Sequence, residues 1–399
     1  MPTPYTVRWG IMATGWIAEY FSKDLLTNPT SRGTHDVRHQ LTAVASSTSE
    51  KRARDFINKI DGPKTAKAYG SYADLLADPD IDIVHIGTPH SHHFQNAMLA
   101  IQAGKNVLCE KALTVTSAQA KTLYAFAKEK NIFLMEAVWT RYFPISIQVR
   151  ELIQSGAIGT VYRTFVDGGT FTTADLSLAR DLPDGKLDID DSHRLISPDL
   201  AGGSLLDLGI YSLTWVFQTL YHVQPESEKE PPVVIAAVEK YHTGTDESAT
   251  VICQFPKHKS MGIATCSFRI ATECDGSYSA GPPVRIQGSK GEIHLTNAPC
   301  FRPTEFKIIR TDGTSEIVQS PVPGDPKRGG WGHGMFWEAD EAARCLRDGK
   351  KESMGLPWSE SILIMEVMDK VLEQGGIVYP ESITSDVFDP NSPQNTGKR

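Results

Sequence analysis

Val107-Leu108-Cys109-Glu110-Lys111-Ala112 decides how this chain is read. Three consecutive apolar residues read as the end of a fully buried strand, and a carboxylate and an amine follow at once. The carboxyl ends of parallel strands open on a ligand crevice. Lysine is rarely fully buried without a partner. Lys111 beside Glu110 is therefore either half of a capping ion pair or a cation aimed into a site, and the flanking chain weighs between the two.

Upstream, a strand over 5–12 runs into Ala13-Thr14-Gly15-Trp16-Ile17-Ala18 and a helix to about Leu26. This is a glycine-poor form of G-x-G-x-x-G. Gly15 falls where backbone must approach a pyrophosphate, and the helix N-terminus supplies donors and a positive dipole. The next strand, 40–45, ends in Ser46-Ser47-Thr48-Ser49, with Lys51 and Arg52 beyond, where an NAD site would carry a carboxylate. Hydroxyls and cations suit a 2′-phosphate, so the spacing favours NADP over NAD. Ser49 serves equally as the cap of a helix with Lys51 and Arg52 on its exposed face.

A short helix begins at Ser71, and strand 81–87 ends in Thr88-Pro89-His90-Ser91-His92-His93. No carboxylate or cysteine completes a ligand set there, so we expect no metal. Thr88 and Pro89 form a floor under the nicotinamide half, and His92-His93 open a helix ending at Gly104. A helix from 116 to 130 and a strand at 131–135 follow, the latter ending in Glu136-Ala137-Val138-Trp139-Thr140-Arg141-Tyr142-Phe143-Pro144. This strand–helix alternation predicts a parallel, doubly wound sheet over 1–140.

Residues 141–399 form a second, α+β domain. A helix to Gln154 and a strand over 161–167 lead to a long Asp- and Gly-rich loop, 168–199. The helix at 201–221 is apolar on nearly every face and carries Asp207 and Tyr211 four residues apart. They are either a hydrogen-bonded pair within the core or an acid–base pair lining a pocket. Strands at 232–240, 248–255, 260–270, 283–288, 291–296, 305–311 and 315–319 predict a large, mostly antiparallel open sheet. Its wide face suits a second copy of the chain, hence a homodimer. The closing helices, 334–347 and 359–373, have the option of packing back on the first domain, and the tail from Asp389 reads as extended or frayed.

At 399 residues, two domains are the natural expectation. A net charge of -8 speaks against nucleic acid. No apolar stretch suggests a membrane span and no leader pattern opens the chain. Six cysteines without C-x-x-C spacing fit reduced thiols in a cytoplasmic protein.

Glu110-Lys111, Thr88-Pro89-x-x-His92/His93 and Gly202-Gly203-x-Leu-Leu-Asp207-x-Gly209-x-Tyr211 together resemble the Gfo/Idh/MocA oxidoreductase family. The resemblance spans nearly the whole chain. Glu136-Ala137-x-Trp139-Thr140-Arg141-Tyr142-Phe143-Pro144 is similar to the dimeric dihydrodiol dehydrogenase branch, whose fungal members include NADP-dependent D-xylose 1-dehydrogenases. Asp191-Ser192-His193-Arg194 and Gly332-His333-Gly334-Met335-Phe336-Trp337-Glu338 look closest to those. Three departures stand out. Ala112 replaces the proline of Glu-Lys-Pro. Ala13 replaces the first glycine of the nucleotide loop, which it can do only with a negative φ. Tyr211 stands where many relatives have histidine. An arginine common just after the second strand is also missing, leaving Lys51 or Arg52 to hold the 2′-phosphate.

The resemblance implies oxidation of a sugar at C1 to the lactone by hydride transfer to NADP. Tyr211 is then the proton acceptor, Lys111 its cationic partner and a hydroxyl donor, and Asp207 the group orienting them or the sugar. A nearby ammonium favours the phenolate of a tyrosine. Trp139, Phe143 and Arg141 are pocket walls, with Arg141 alternatively anchoring the cofactor amide. His193 and Arg194 either reach sugar hydroxyls or lie on the surface. A trans-dihydrodiol dehydrogenase is the rival enzyme, and a non-catalytic NADP-binding sensor the rival of another kind.

Overall fold

Apolar runs bounded by capping residues organise the first half of the chain, and the computed structural model shows how they assemble. It describes residues 3–170, 186–272, 279, 281–296 and 299–397. The chain forms two compact units. The first comprises 1–139, 322–361 and 384–399; the second comprises 140–321 and 362–383.

The first unit holds strands β1 (Tyr5–Met12), β2 (Val37–Ala45), β3 (Lys67–Tyr69), β4 (Ile83–Ile86), β5 (Asn106–Glu110) and β6 (Leu134–Ala137). They are all parallel, in the order β3-β2-β1-β4-β5-β6. The order reverses between β1 and β4, which places the ligand crevice of such a sheet at their carboxyl ends. Helices α1 (Trp16–Leu25), α2 (Glu50–Lys59), α3 (Tyr72–Ala77), α4 (His90–Gln102) and α5 (Ser117–Glu129) connect the strands. Ser49, Ser71 and Thr116 cap α2, α3 and α5, each side chain accepting a backbone N–H of the first turn. The three-residue β3 escapes sequence reading because Lys67-Ala68-Tyr69 carries too little apolar pattern.

The second unit opens with α6 (Pro144–Gln154) and β7 (Val161–Thr170). Residues 171–185, most of the expected long loop, lie outside the described residues, as does Cys274. The expected helix at 201–221 is instead a π-helical turn, Leu205–Gly209, leading into α7 (Ile210–Leu220). Strands β8 (Val233–Lys240), β9 (Asp246–Phe255), β10 (Ser260–Ala271), β11 (Val284–Gly288), β12 (Gly291–Thr296), β13 (Glu305–Arg310) and β14 (Ser315–Gln319) complete an eight-stranded sheet. Its order is β14-β13-β12-β11-β7-β10-β9-β8, antiparallel except for β7 with β10. Helix α7 packs on β7 and β10, with Thr219 bonded to Thr164 and Val216 filling the space above Gly262. The stretch 198–220 is long and apolar enough to cross a membrane, but 89% of its apolar window is buried inside the protein.

The last third divides between the units. Helix α8 (Phe336–Arg347) belongs to the first, and most of α9 (Trp358–Gly375) to the second. Through Gly397 the tail is neither extended nor frayed. Short helices α10 (Glu381–Thr384) and α11 (Pro393–Thr396) form, and the buried Asn96 amide of α4 donates to Gln394 O at 2.9 Å and Asn395 Oδ1 at 3.0 Å. Hydrogen bonds across some 300 residues hold it, and these leave no local trace in the sequence.

Candidate active site

Within the first unit, the polar residues read from the sequence gather at the carboxyl ends of the strands. Ala13 N donates to Ala45 O at 3.1 Å, which fixes the turn after β1. Ala13 has φ +86°, not the negative value its side chain favours. A Cβ in that region costs about 1–3 kcal/mol, and the turn holds it there. Thr14 and Ile17 are half-buried, and Gly15 and Trp16 exposed. Gly15 precedes α1 without a side-chain cap, and open space faces it. The first-turn amides of α1 are thus donors for an anion.

At the end of β2, the Ser46 hydroxyl bonds Thr48 Oγ1 at 3.2 Å. The Ser47 hydroxyl bonds Tyr72, and the Arg52 charge lies within electrostatic reach of that phenol. Lys51 is engaged by Asp55 at 2.6 Å. Of the two expected cations, Arg52 is the one whose charge acts on the Tyr72 phenol bonded to Ser47. At the end of β4, Thr88 is 8% exposed and its Oγ1 is buried without a partner among the described residues. A buried orphan hydroxyl at this position, uncapped amides at α1 and a hydroxyl–arginine cluster after β2 fit a phosphorylated dinucleotide.

His92 of the expected pair bonds the Ser91 hydroxyl at 2.9 Å. His93, which the sequence reading named beside His92 without giving it a role in the site, has the structural one. Its Nδ1 lies 2.8 Å from Ala112 O and its Nε2 2.8 Å from Thr88 O, so one ring pins the Thr88 and Lys111 loops together. Burial pushes its pKa down, against the pull of those carbonyls. The signal was present: His93, Ala97, Ala100 and Ile101 share one helical face. The Lys111–Ala112 peptide is cis, and Lys111 is half-buried. Glu110 meets His85 Nε2 at 3.1 Å, both side chains being enclosed. Pro89 N-caps α4.

Trp139 is 3% exposed and stacks on His333, centroids 4.9 Å apart and planes 17° apart. Tyr20 of α1 meets the same imidazole edge-on at 4.8 Å. Asp24 holds this loop. Its carboxylate accepts the Trp331 indole N–H and the backbone N–H of His333, Gly334, Met335 and Phe336 at 2.7–3.3 Å. Burial raises the Asp24 pKa and those donors oppose it.

Within the second unit, Asp207 accepts from Arg194 at 3.1 Å, so two residues 13 apart in sequence meet. Tyr211 is 7% exposed, its ring 5.2 Å from that of Phe301. Asp246, fully buried, accepts from the Ser204 hydroxyl at 2.8 Å and Leu205 N at 2.6 Å. It caps the helical run that carries Asp207 and Tyr211. Gly203, at φ +133°, makes room for that carboxylate, which a Cβ would meet at 2.1 Å. His193 is half-buried; burial and then Arg194 lower its pKa. Arg141 and Phe143 are fully enclosed. Arg141 Nη2 meets His222 Nδ1 at 3.1 Å, which gives this guanidinium a partner inside the unit's core.

Residues 7–138 match the oxidoreductase family with an NAD-binding Rossmann fold, and 146–294 match the GFO/IDH/MocA C-terminal domain. The chain belongs to the Gfo/Idh/MocA oxidoreductase family. It is 60% identical over 397 residues to the D-xylose 1-dehydrogenase (NADP+) of Hypocrea jecorina, covering 99% of each chain. It is 35% identical to the human trans-1,2-dihydrobenzene-1,2-diol dehydrogenase, covering 94% of this chain and 98% of that one. Among solved structures, the aldose-aldose oxidoreductase of Caulobacter crescentus matches with a TM-score of 0.71 at 21% identity, over 93% of this chain and 98% of that one. This Gfo/Idh/MocA chain therefore pairs a Rossmann unit with the family's C-terminal sheet unit.

Proposed function

We propose that this protein is an NADP-dependent D-xylose 1-dehydrogenase that oxidises D-xylose and related aldopyranoses at C1 to the lactone. The observation that carries the reading is the full-length 60% identity to the Hypocrea enzyme. The first unit is the NADP-binding domain and the second the substrate-binding and dimerisation domain, in a cytoplasmic homodimer acting on a free sugar. The amides of Gly15, Trp16 and Ile17, with Ala13 and Thr14 shaping their turn, would hold the pyrophosphate. Ser46, Ser47, Thr48 and Arg52, with Lys51 nearby, would hold the 2′-phosphate. Thr88, Pro89, His92 and Glu110 would frame the nicotinamide half, with Trp139 as an aromatic wall. When bound, NADP supplies the hydride acceptor.

The chain's own residues handle the proton and the sugar. A Tyr211 phenolate would take the proton of the C1 hydroxyl and become the phenol, and Lys111 would stabilise that phenolate beforehand and donate to the C1 oxygen. Asp207, oriented by Arg194, positions the acid–base groups or the sugar. Trp139 offers an apolar face to pyranose C–H groups. Phe143, His193, Arg194 and Arg141 complete the proposed substrate and cofactor contacts; for Arg141, enclosed against His222, that contact requires the guanidinium to turn.

NADPH formation with D-xylose, D-glucose and a benzene dihydrodiol, each with NADP and with NAD, tests the reading. Turnover of xylose with NADP, far above that with NAD, is expected. Turnover confined to the dihydrodiol would replace the substrate and keep the fold. Absence of turnover with every pair would favour a sensor.

A further inference from the structure

The C-terminal segment reaches the cofactor end of the first unit. Side chains of α4 and α5 tie it down: Gln119 Nε2 donates to Ser385 O at 2.9 Å, Thr122 Oγ1 to Asp386 Oδ2 at 3.3 Å, Gln95 Nε2 to Val387 O at 2.8 Å, and Asn96 Nδ2 to Gln394 O at 2.9 Å. Gln95 Oε1 also accepts Asp389 N, and Asn395 Nδ2 bonds back to Asp389 O, so the segment is braced as well as attached. Asn96 is fully buried and Asn395 4% exposed.

After α11 the chain turns at Gly397, φ +67°, whose N–H bonds Pro393 O. A Cβ on Gly397 would stand 2.6 Å from Ser47 Cβ and 2.9 Å from Ser47 O. No side chain fits. At Gly397 the segment therefore lies directly against the residue whose hydroxyl bonds Tyr72, a phenol within electrostatic reach of Arg52. That loop follows β2, where a Rossmann sheet meets the ribose 2′ position.

We propose that residues 385–397 are a strap that holds the Ser46–Ser47–Thr48 loop in its 2′-phosphate-binding form, making Gly397 and Asn96 determinants of the preference for NADP. This rests on the NADP reading above. The strap acts by preorganisation: a loop already fixed by Gly397 and Tyr72 loses little freedom when the phosphate binds. NAD lacks the group that the loop holds, so its affinity is insensitive to the strap. Gly397 and Asn96 are positioning residues, acting through Ser47.

Dissociation constants for NADP and NAD, measured by fluorescence titration on the full-length enzyme, test this in Gly397→Val and Asn96→Ala. Gly397→Val drives its Cβ into Ser47, and Asn96→Ala removes the bonds of Asn96 to Gln394 and Asn395. In both, Kd for NADP should rise roughly tenfold, with Kd for NAD within about twofold of wild type. Unchanged NADP affinity in both, or an equal loss for NAD, overturns the strap. Thermal unfolding reports whether each variant is folded, and Gly397→Val, in the turn after α11, carries the test if Asn96→Ala is not. A wild-type enzyme binding NAD as tightly as NADP overturns the cofactor reading itself. That outcome appears before any variant is made, so the two failures are distinguishable.

Discussion

Lys111 and Tyr211 are single side chains on which the proposed chemistry turns. Each is held by structure outside itself. His93 pins the loop of Lys111 to that of Thr88, and Asp246 caps the run that carries Tyr211. A positioned acid–base group contributes roughly 10²–10⁴-fold to a proton transfer. Lys111→Ala and Tyr211→Phe should each lower kcat by about that factor while NADP affinity stays near wild type. Stopped-flow or steady-state NADPH formation reads the first quantity and fluorescence titration the second. Unchanged kcat in both variants would remove these residues from the mechanism. The strained Ala13 shows the opposite relation: its side chain resists a left-handed backbone that the bond to Ala45 imposes.

Helix α8 shows what an element can impose on the groups around it. Arg32 and His39 bond Asp340 at 2.7 and 2.8 Å, all three side chains being buried. Burial pushes Asp340 up, but those bonds outweigh it and hold the carboxyl well below the usual range. Glu338, two residues earlier, has the opposite surroundings. It is fully buried, neither oxygen has a partner among the described residues, and the charges of Glu110 and Asp24 face it. Burial first, then those two carboxylates, raise its pKa well above the ordinary value, which favours the protonated carboxyl in the folded protein. A group whose folded pKa is raised stabilises fully below its unfolded pKa and loses that contribution as pH rises toward the folded one. Glu338→Gln should therefore raise stability by about 1–3 kcal/mol at pH 8 and leave it nearly unchanged at pH 4. Urea unfolding at the two pH values decides it; equal effects at both would mean that Glu338 is ionised in the folded state.

At the scale of the molecule, the eight-stranded sheet leaves one face uncovered by α7. A row crosses it in register: Ile235 opposite Ile252, Ile252 opposite Ile263, Ile263 opposite Phe165. Ile235 is 57% exposed and the other three half-buried. A contiguous apolar row of this kind suits an isologous interface with a second copy. Ile263→Lys should convert the proposed homodimer to a monomer in sedimentation velocity without changing the circular dichroism of the fold. A variant that sediments as wild type would place the interface elsewhere.

The sequence by itself determined the parallel sheet, its three serine and threonine caps, the positions of Gly15, Thr88 and Lys111 just beyond the carboxyl ends of β1, β4 and β5, and the succession of antiparallel strands. Each of these is written in a local pattern: period two, period 3.6, a capping residue or a turn. Only the tertiary structure decided that His93 rather than His92 fastens the loops, that Glu110 faces His85, that Asp24 holds the His333 loop, and that the tail is docked. Those partners lie between about 5 and 310 residues apart, and which polar group meets which depends on where the folded chain returns. The buried donor or acceptor must find a partner there because water cannot reach it, and no short window of sequence records which one it finds.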